Sequence, residues 1–143
     1  MRSQLTLLAL AMAISTPLHA APDTGTLSVH VTGFLHERGH VIAKLYAQGD
    51  DVLGPGRWTA QAVVHGNEAT LKWPNLSHGQ YAVVVFHDEN DSGALDHNLL
   101  RLPAEPLGFS NGFALSWHSG MPSFEKLRFE FTQAVQTIEV RVR

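Results

Sequence analysis

The chain has 143 residues, 44% hydrophobic and 16% charged, with 12 Gly, 7 Pro, no Cys and a formal net charge of −3. That length fits one domain, and the apolar fraction is that of a folded protein rather than a disordered one. Without a basic cluster there is no electrostatic footprint for nucleic acid. The lack of Cys excludes disulfides, thiol catalysis and Cys-ligated metal centres together.

Residues 1–20 open with Arg2, continue as the apolar run Leu5–Ile14 interrupted only by Thr6, and end Pro17-Leu18-His19-Ala20. A short cationic start, an apolar stretch and a small residue at the end read as a secretory signal peptide cleaved after Ala20. Ten residues make a helix of about 15 Å, half the hydrocarbon thickness of a bilayer, so the segment is not a membrane span. The expected product is one domain, 21–143, located in the periplasm or secreted.

Past Asp23 the apolar period is two. Leu27, Val29 and Val31 alternate with polar neighbours, as do Val41, Ala43 and Leu45. Such alternation marks half-buried strands. Thr59–Val64 and Ala69–Trp73 flank Gly66-Asn67, the spacing of a hairpin. Tyr81–Phe86 is apolar without alternation and is expected to be a central strand covered on both faces. Leu127, Phe129 and Phe131, then Ile138, Val140 and Val142, complete about seven strands, with no helical stripe. This predicts an all-β fold, an antiparallel Greek-key β-sandwich of the immunoglobulin-like kind, with a closed barrel as the rival.

Between residues 88 and 112 lies a long stretch without strand periodicity, and it carries the chemical signal. The segment reads H-D-E-N-D-S-G-A-L-D-H-N from His87 to Asn98. With Asp88 as position 1, Asn90, Ser92 and Asp96 fall at positions 3, 5 and 9, Gly93 at 6 and Ala94 at 7. A calcium loop presents oxygens from these positions, the one at 7 being a backbone carbonyl. Position 12 is Leu99 rather than a bidentate Glu, so this is not an EF-hand, and Glu105 is the candidate for a distant carboxylate. The same residue types also build metal-free Asx turns. Ca²⁺ is the expected cofactor, held by Asp88, Asn90, Ser92, Ala94 and Asp96.

Other chemistry is weaker. His87 with His97 beside the acidic loop is the conceivable transition-metal pair, although no H-x-H or H-E-x-x-H spacing accompanies it. Ser110 has no G-x-S-x-G elbow and no identifiable base. Glu89 and Glu105 are the one candidate acid/base pair, so a small metal-dependent or carboxylate-based hydrolase is the alternative to a binding module. No catalytic residue is assigned. Phe109, Trp117 and Phe124 are expected to pack in the core or under loops, with Phe109 folding back as a plug.

Taken in order, Leu76-x-x-Gly79-x-Tyr81, His87-Asp88-Glu89-Asn90, Gly93-x-Leu95-Asp96-x-Asn98, Pro103-x-Glu105, Gly108-Phe109-Ser110-Asn111 and Gly120-x-Pro122-x-Phe124 resemble the domain-of-unknown-function 2141 family of exported bacterial proteins. The likeness runs from about Gly25 to Val142. It implies an exported bacterial protein with a prealbumin-like sandwich and supplies no activity. Joined with the loop reading, the expectation is a calcium-stabilised binding or structural module of the bacterial envelope. Its partner would be an envelope or extracellular protein or a glycan.

Overall fold

The structure is a computed structural model and describes residues 23–99 and 103–143. The signal-peptide reading of residues 1–20 therefore lies outside the described residues. Among the described residues eight strands form: β1 (Thr24–Thr32), β2 (His40–Ala47), β3 (Trp58–Val63), β4 (Glu68–Ser77), β5 (Gly79–Asp88), β6 (Leu107–Phe109), β7 (Phe129–Phe131) and β8 (Val135–Arg141), with a helical turn α1 (Phe124–Leu127) before β7. They build a three-stranded sheet ordered β4-β1-β8 and a five-stranded sheet ordered β3-β2-β5-β6, with β7 also pairing β5.

Two sheets with apolar faces can bury them only against each other, and the main core is that interface. Leu27, Val29 and Val31 of β1, Leu71 and Trp73 of β4 and Val140 of β8 meet Val41, Ala43 and Leu45 of β2 and Val83 and Val85 of β5. The fold is thus sandwich-like and nearly all β, as the period-two pattern predicts. The strand β5 is buried from Tyr81 to Asp88. Its odd residues face the main core, while Ala82 and Val84 join Tyr46, Val52, Phe109 and Leu127 in a second apolar cluster on the other face. A continuous apolar run is thereby covered on both sides.

Several local expectations are revised. Gly66 and Asn67 do form the expected tight turn, with φ of 59° and 72°, and His65 and Glu68 exchange backbone hydrogen bonds of 2.9 and 3.2 Å. The flanking strands then part, β3 to β2 and β4 to β1. Both carry core residues, Ala60 and Ala62 on one and Ala69, Leu71 and Trp73 on the other. These cover each other across the sandwich rather than side by side.

One pair departs from the antiparallel expectation, since β8 runs parallel to β1. Parallel neighbours need a long connection, and the rest of the domain supplies it. Leu127 ends α1 rather than starting a strand, because Arg128 N–H donates to the Phe124 carbonyl at 2.8 Å and closes one helical turn. The strand β6 lies inside the stretch read as loop, its three residues being too few to show a period. Phe109 is buried and stacks edge-on to Phe113 at 5.3 Å, as a plug should. Trp117 is fully exposed, contrary to expectation, on a turn held by reciprocal Ser116–Ser119 hydrogen bonds.

On the outer face of the three-stranded sheet, His30 of β1 bridges Glu68 (3.0 Å) on β4 and Glu139 (2.8 Å) on β8. The hydrogen bond to Glu68, then those with Glu139, raise the His30 pKa above 6.5 against the opposing effect of burial. A raised imidazole pKa contributes stability below the unfolded value, and that contribution is lost as pH rises through the folded one. The double variant Glu68→Gln/Glu139→Gln is expected to lose less Tm than the parent between about pH 6 and pH 8.5. Thermal melts at the two pH values check this.

Candidate functional site

The site grows from the end of β5. Alternation along the strand sends His87 toward the inner face with Val83 and Val85, while Asp88, opposite His40 of β2, starts the acidic loop. His87 has no exposed surface and Asp88 only 2%.

The five residues predicted to ligate calcium come together in one hydrogen-bonded turn. The Asp88 Oδ1 accepts Ser92 N–H (2.9 Å) and its Oδ2 accepts Gly93 N–H (2.7 Å). The Asn90 Oδ1 also accepts Ser92 N–H (3.0 Å), and the Asn90 amide donates to Asp96 Oδ2 (2.7 Å). Ser92 Oγ donates to the Ala94 carbonyl at 2.9 Å. Asp91 and Gly93 take positive φ, 57° and 77°, which turns the chain tightly enough to bring Asp96 back over Asn90. The donor set is oxygen throughout, and each carboxylate oxygen of Asp88 keeps a lone pair beyond its one amide. That chemistry suits Ca²⁺.

Glu105 comes to the same place. Its Oε1 accepts Glu89 N–H (3.2 Å) and its Oε2 accepts Asp96 N–H (3.3 Å), so it ties both ends of the turn. Burial raises the Glu105 pKa, the two amide bonds oppose the rise, and the nearby charges of Asp88 and Asp96 add to it. Among the described residues no Lys or Arg side chain pairs with Asp88, Asp96 or Glu105.

Glu89 turns the other way, so the candidate acid/base pair is divided between two environments. Its Oε1 lies 3.1 Å from His36 Nε2 and 3.6 Å from His87 Nδ1. One ligand atom from each of His36, His87 and Glu89 lies within 4.8 Å of the others. His87 Nε2 is 2.7 Å from the Arg38 carbonyl, which can only accept, so this nitrogen carries the hydrogen. The other ring nitrogen, Nδ1, is buried with no hydrogen-bond partner. Leaving a buried polar atom unpaired costs about 1–3 kcal/mol. The expected pairing of His87 with His97 is replaced. Its ring neighbours are Phe34 at 5.0 Å and His36 at 5.1 Å, while His97 sits in the exposed part of the loop. Sequence reasoning missed His36 because 51 positions separate it from His87. The inward direction of His87 was legible by extending the strand period one step past Val85.

Two further features frame the site. Ser110, weighed as a nucleophile, is fully buried; its Oγ donates to the Leu127 carbonyl at 2.6 Å and accepts Val83 N–H at 2.9 Å, a tie between β5 and α1. On the outer face of the five-stranded sheet lies a groove of about 540 Å³ lined by Lys44, Phe86, Leu95, His97, Pro103 and Met121 among others, so the acidic loop forms one of its walls.

The close approach of the 33–39 connection depends on Gly39. With φ of +74°, a Cβ there would lie 1.9 Å from the Asp88 carbonyl oxygen and 2.9 Å from Glu89 Cα. Gly49 has φ of +91° but open space around it. Gly49→Ala is expected to cost roughly 1–2 kcal/mol from backbone strain alone. Gly39→Ala adds overpacking of about 1–3 kcal/mol to the same strain. Denaturant melts of the two variants measure the difference.

The sequence profile of a family described as "Uncharacterized protein conserved in bacteria (DUF2141)" matches residues 29–139, and the chain belongs to that family. No match is found among curated proteins or among solved structures.

Proposed function

We propose that this family member is a non-catalytic β-sandwich module of the bacterial envelope, exported by residues 1–20, whose 88–107 loop is fixed by Ca²⁺. The observation that carries the reading is the gathering of the Asp88, Asp96 and Glu105 carboxylates around one turn, where among the described residues no Lys or Arg side chain pairs with them and the neighbouring His40 goes to Asp91. Like charges this close repel, and burial makes Glu105 costlier to ionise. A divalent cation among the oxygens reverses the sign of that interaction. With no Cys in the chain, ion binding would take the place of a covalent clamp on a long connection.

A loop held in this way offers a fixed surface to a protein or a glycan. The adjoining groove supports a binding role, because the loop residues Leu95, His97 and Pro103 line its wall. Among the described residues no helix is long and apolar enough to cross a membrane. Binding of Ca²⁺ in the millimolar range suffices outside the cell, where the ion serves as a structural part rather than a switch.

Calcium at ten times its Kd is expected to stabilise the protein by about 1.4 kcal/mol, a Tm rise of several degrees. Asp96→Asn should abolish most of the rise. An unchanged melt in millimolar Ca²⁺ defeats the calcium reading. Export has its own check: the protein recovered from the periplasm or medium of an expressing bacterium should have an intact mass lacking residues 1–20. Recovery of uncleaved protein in the cytoplasm alone defeats the envelope assignment.

A further inference from the structure

We propose that His36, His87 and Glu89 form a binding site for a single divalent transition metal of the zinc class, separate from the oxygen-lined turn. Three observations converge on it. His87 Nδ1 is fully buried and lacks a hydrogen-bond partner, yet it faces the Glu89 carboxylate at 3.6 Å. With the ring neutral, the two electron-rich groups would repel across this gap, and a positive centre between them would turn the contact attractive. His36 Nε2 approaches the same Glu89 oxygen at 3.1 Å from the other side.

The spacing fits a small ion. Four ligands at Zn–N and Zn–O distances of about 2.0–2.1 Å stand roughly 3.3 Å apart around a tetrahedron. The two edges from Glu89, 3.1 and 3.6 Å, straddle that value, and no pair of ligand atoms exceeds 4.8 Å. The remaining contraction falls to His36, whose side chain is 29% exposed and has room to turn. The outer contacts also have the right sense. His87 Nε2–H donates to the Arg38 carbonyl at 2.7 Å, the kind of bond that orients a metal-bound imidazole and fixes which nitrogen ligates.

Two imidazoles and a carboxylate select zinc and its neighbours, because Ca²⁺ takes oxygen and not imidazole. Phe34 closes one side, its ring edge-on to His87 at 5.0 Å. Part-exposed His36 and Glu89 leave the other side toward solvent, so the fourth position is open to water or an external donor. The Arg38 guanidinium lies 3.4 Å from His36 Nε2 and competes for its lone pair. Arg38 is exposed, so its side chain has room to move aside for a metal. The rival occupant of the gap is a proton, which would make His87 an imidazolium bonded to Glu89.

The test uses the full chain as purified, stripped with a chelator and titrated with Zn²⁺ against a chromophoric competitor. One equivalent is expected to bind at sub-micromolar affinity, and Co²⁺ in its place should develop visible d–d bands. His36→Ala and Glu89→Ala, both at part-exposed positions, should each weaken binding about 100-fold or more. Asp96→Asn should leave it unchanged, which separates this site from the calcium turn whatever that turn binds. Substoichiometric uptake at tens of micromolar Zn²⁺ overturns the proposal, as does affinity indifferent to both alanine variants. A doubly protonated His87 ring near pH 7.5 by ¹⁵N NMR, unmoved by Zn²⁺, assigns the gap to the proton instead.

Discussion

Strand β5 is the constraint on which the rest of the molecule depends. From Tyr81 to Asp88 it pairs with β2 on one edge and is buried on both faces, and on the other edge it pairs with β6 and β7. A strand so enclosed has no freedom of register, because a slip of one residue would exchange the contents of two apolar clusters. Everything attached to its end is therefore placed with the accuracy of the core. His87 and Asp88 are consecutive residues, and the pleat sends them in opposite directions.

That divergence gives one strand end two chemistries. The inward side meets the 33–39 connection, which Gly39 allows to pass close over Asp88, and gathers nitrogen donors with one carboxylate. The outward side gathers the oxygens of Asp88, Asn90, Asp96 and Glu105, organised by backbone amides, with His40 bonded to Asp91 at its edge. Hard and borderline cations prefer these two donor sets respectively. Glu89 and Glu105, adjacent through a single amide–carboxylate bond, mark the border between them.

Electrostatics and packing are coupled across this border. Glu105 uses both oxygens to fasten the two ends of the acidic turn, and that placement is what desolvates it. The same turn walls the apolar groove through Ala94, Leu95 and His97. On the opposite sheet a titratable imidazole, His30, stands between the carboxylates of Glu68 and Glu139. In the acidic turn His40 of β2 pairs with Asp91, while among the described residues no Lys or Arg side chain pairs with Asp88, Asp96 or Glu105.

Much of this was legible in the chain itself. Strict alternation identified β1, β2 and β8, and the unbroken apolar run marked β5 as doubly covered, because burial acts on each residue locally through the pleat. The turn at Gly66-Asn67 and the clustering of Asp88, Asn90, Ser92, Ala94 and Asp96 were likewise written in short-range spacing. The assignment of β3 and β4 to different sheets was not legible, nor was the parallel β1–β8 pair, since pairing partners are chosen by which apolar faces need cover. His36 beside His87 belongs to the same class. Sequence determined which residues face inward and which oxygens share a turn; only tertiary structure decided what a distant loop would lay against the buried imidazole, because contacts between remote segments are fixed by the packing of the whole core rather than by any local pattern.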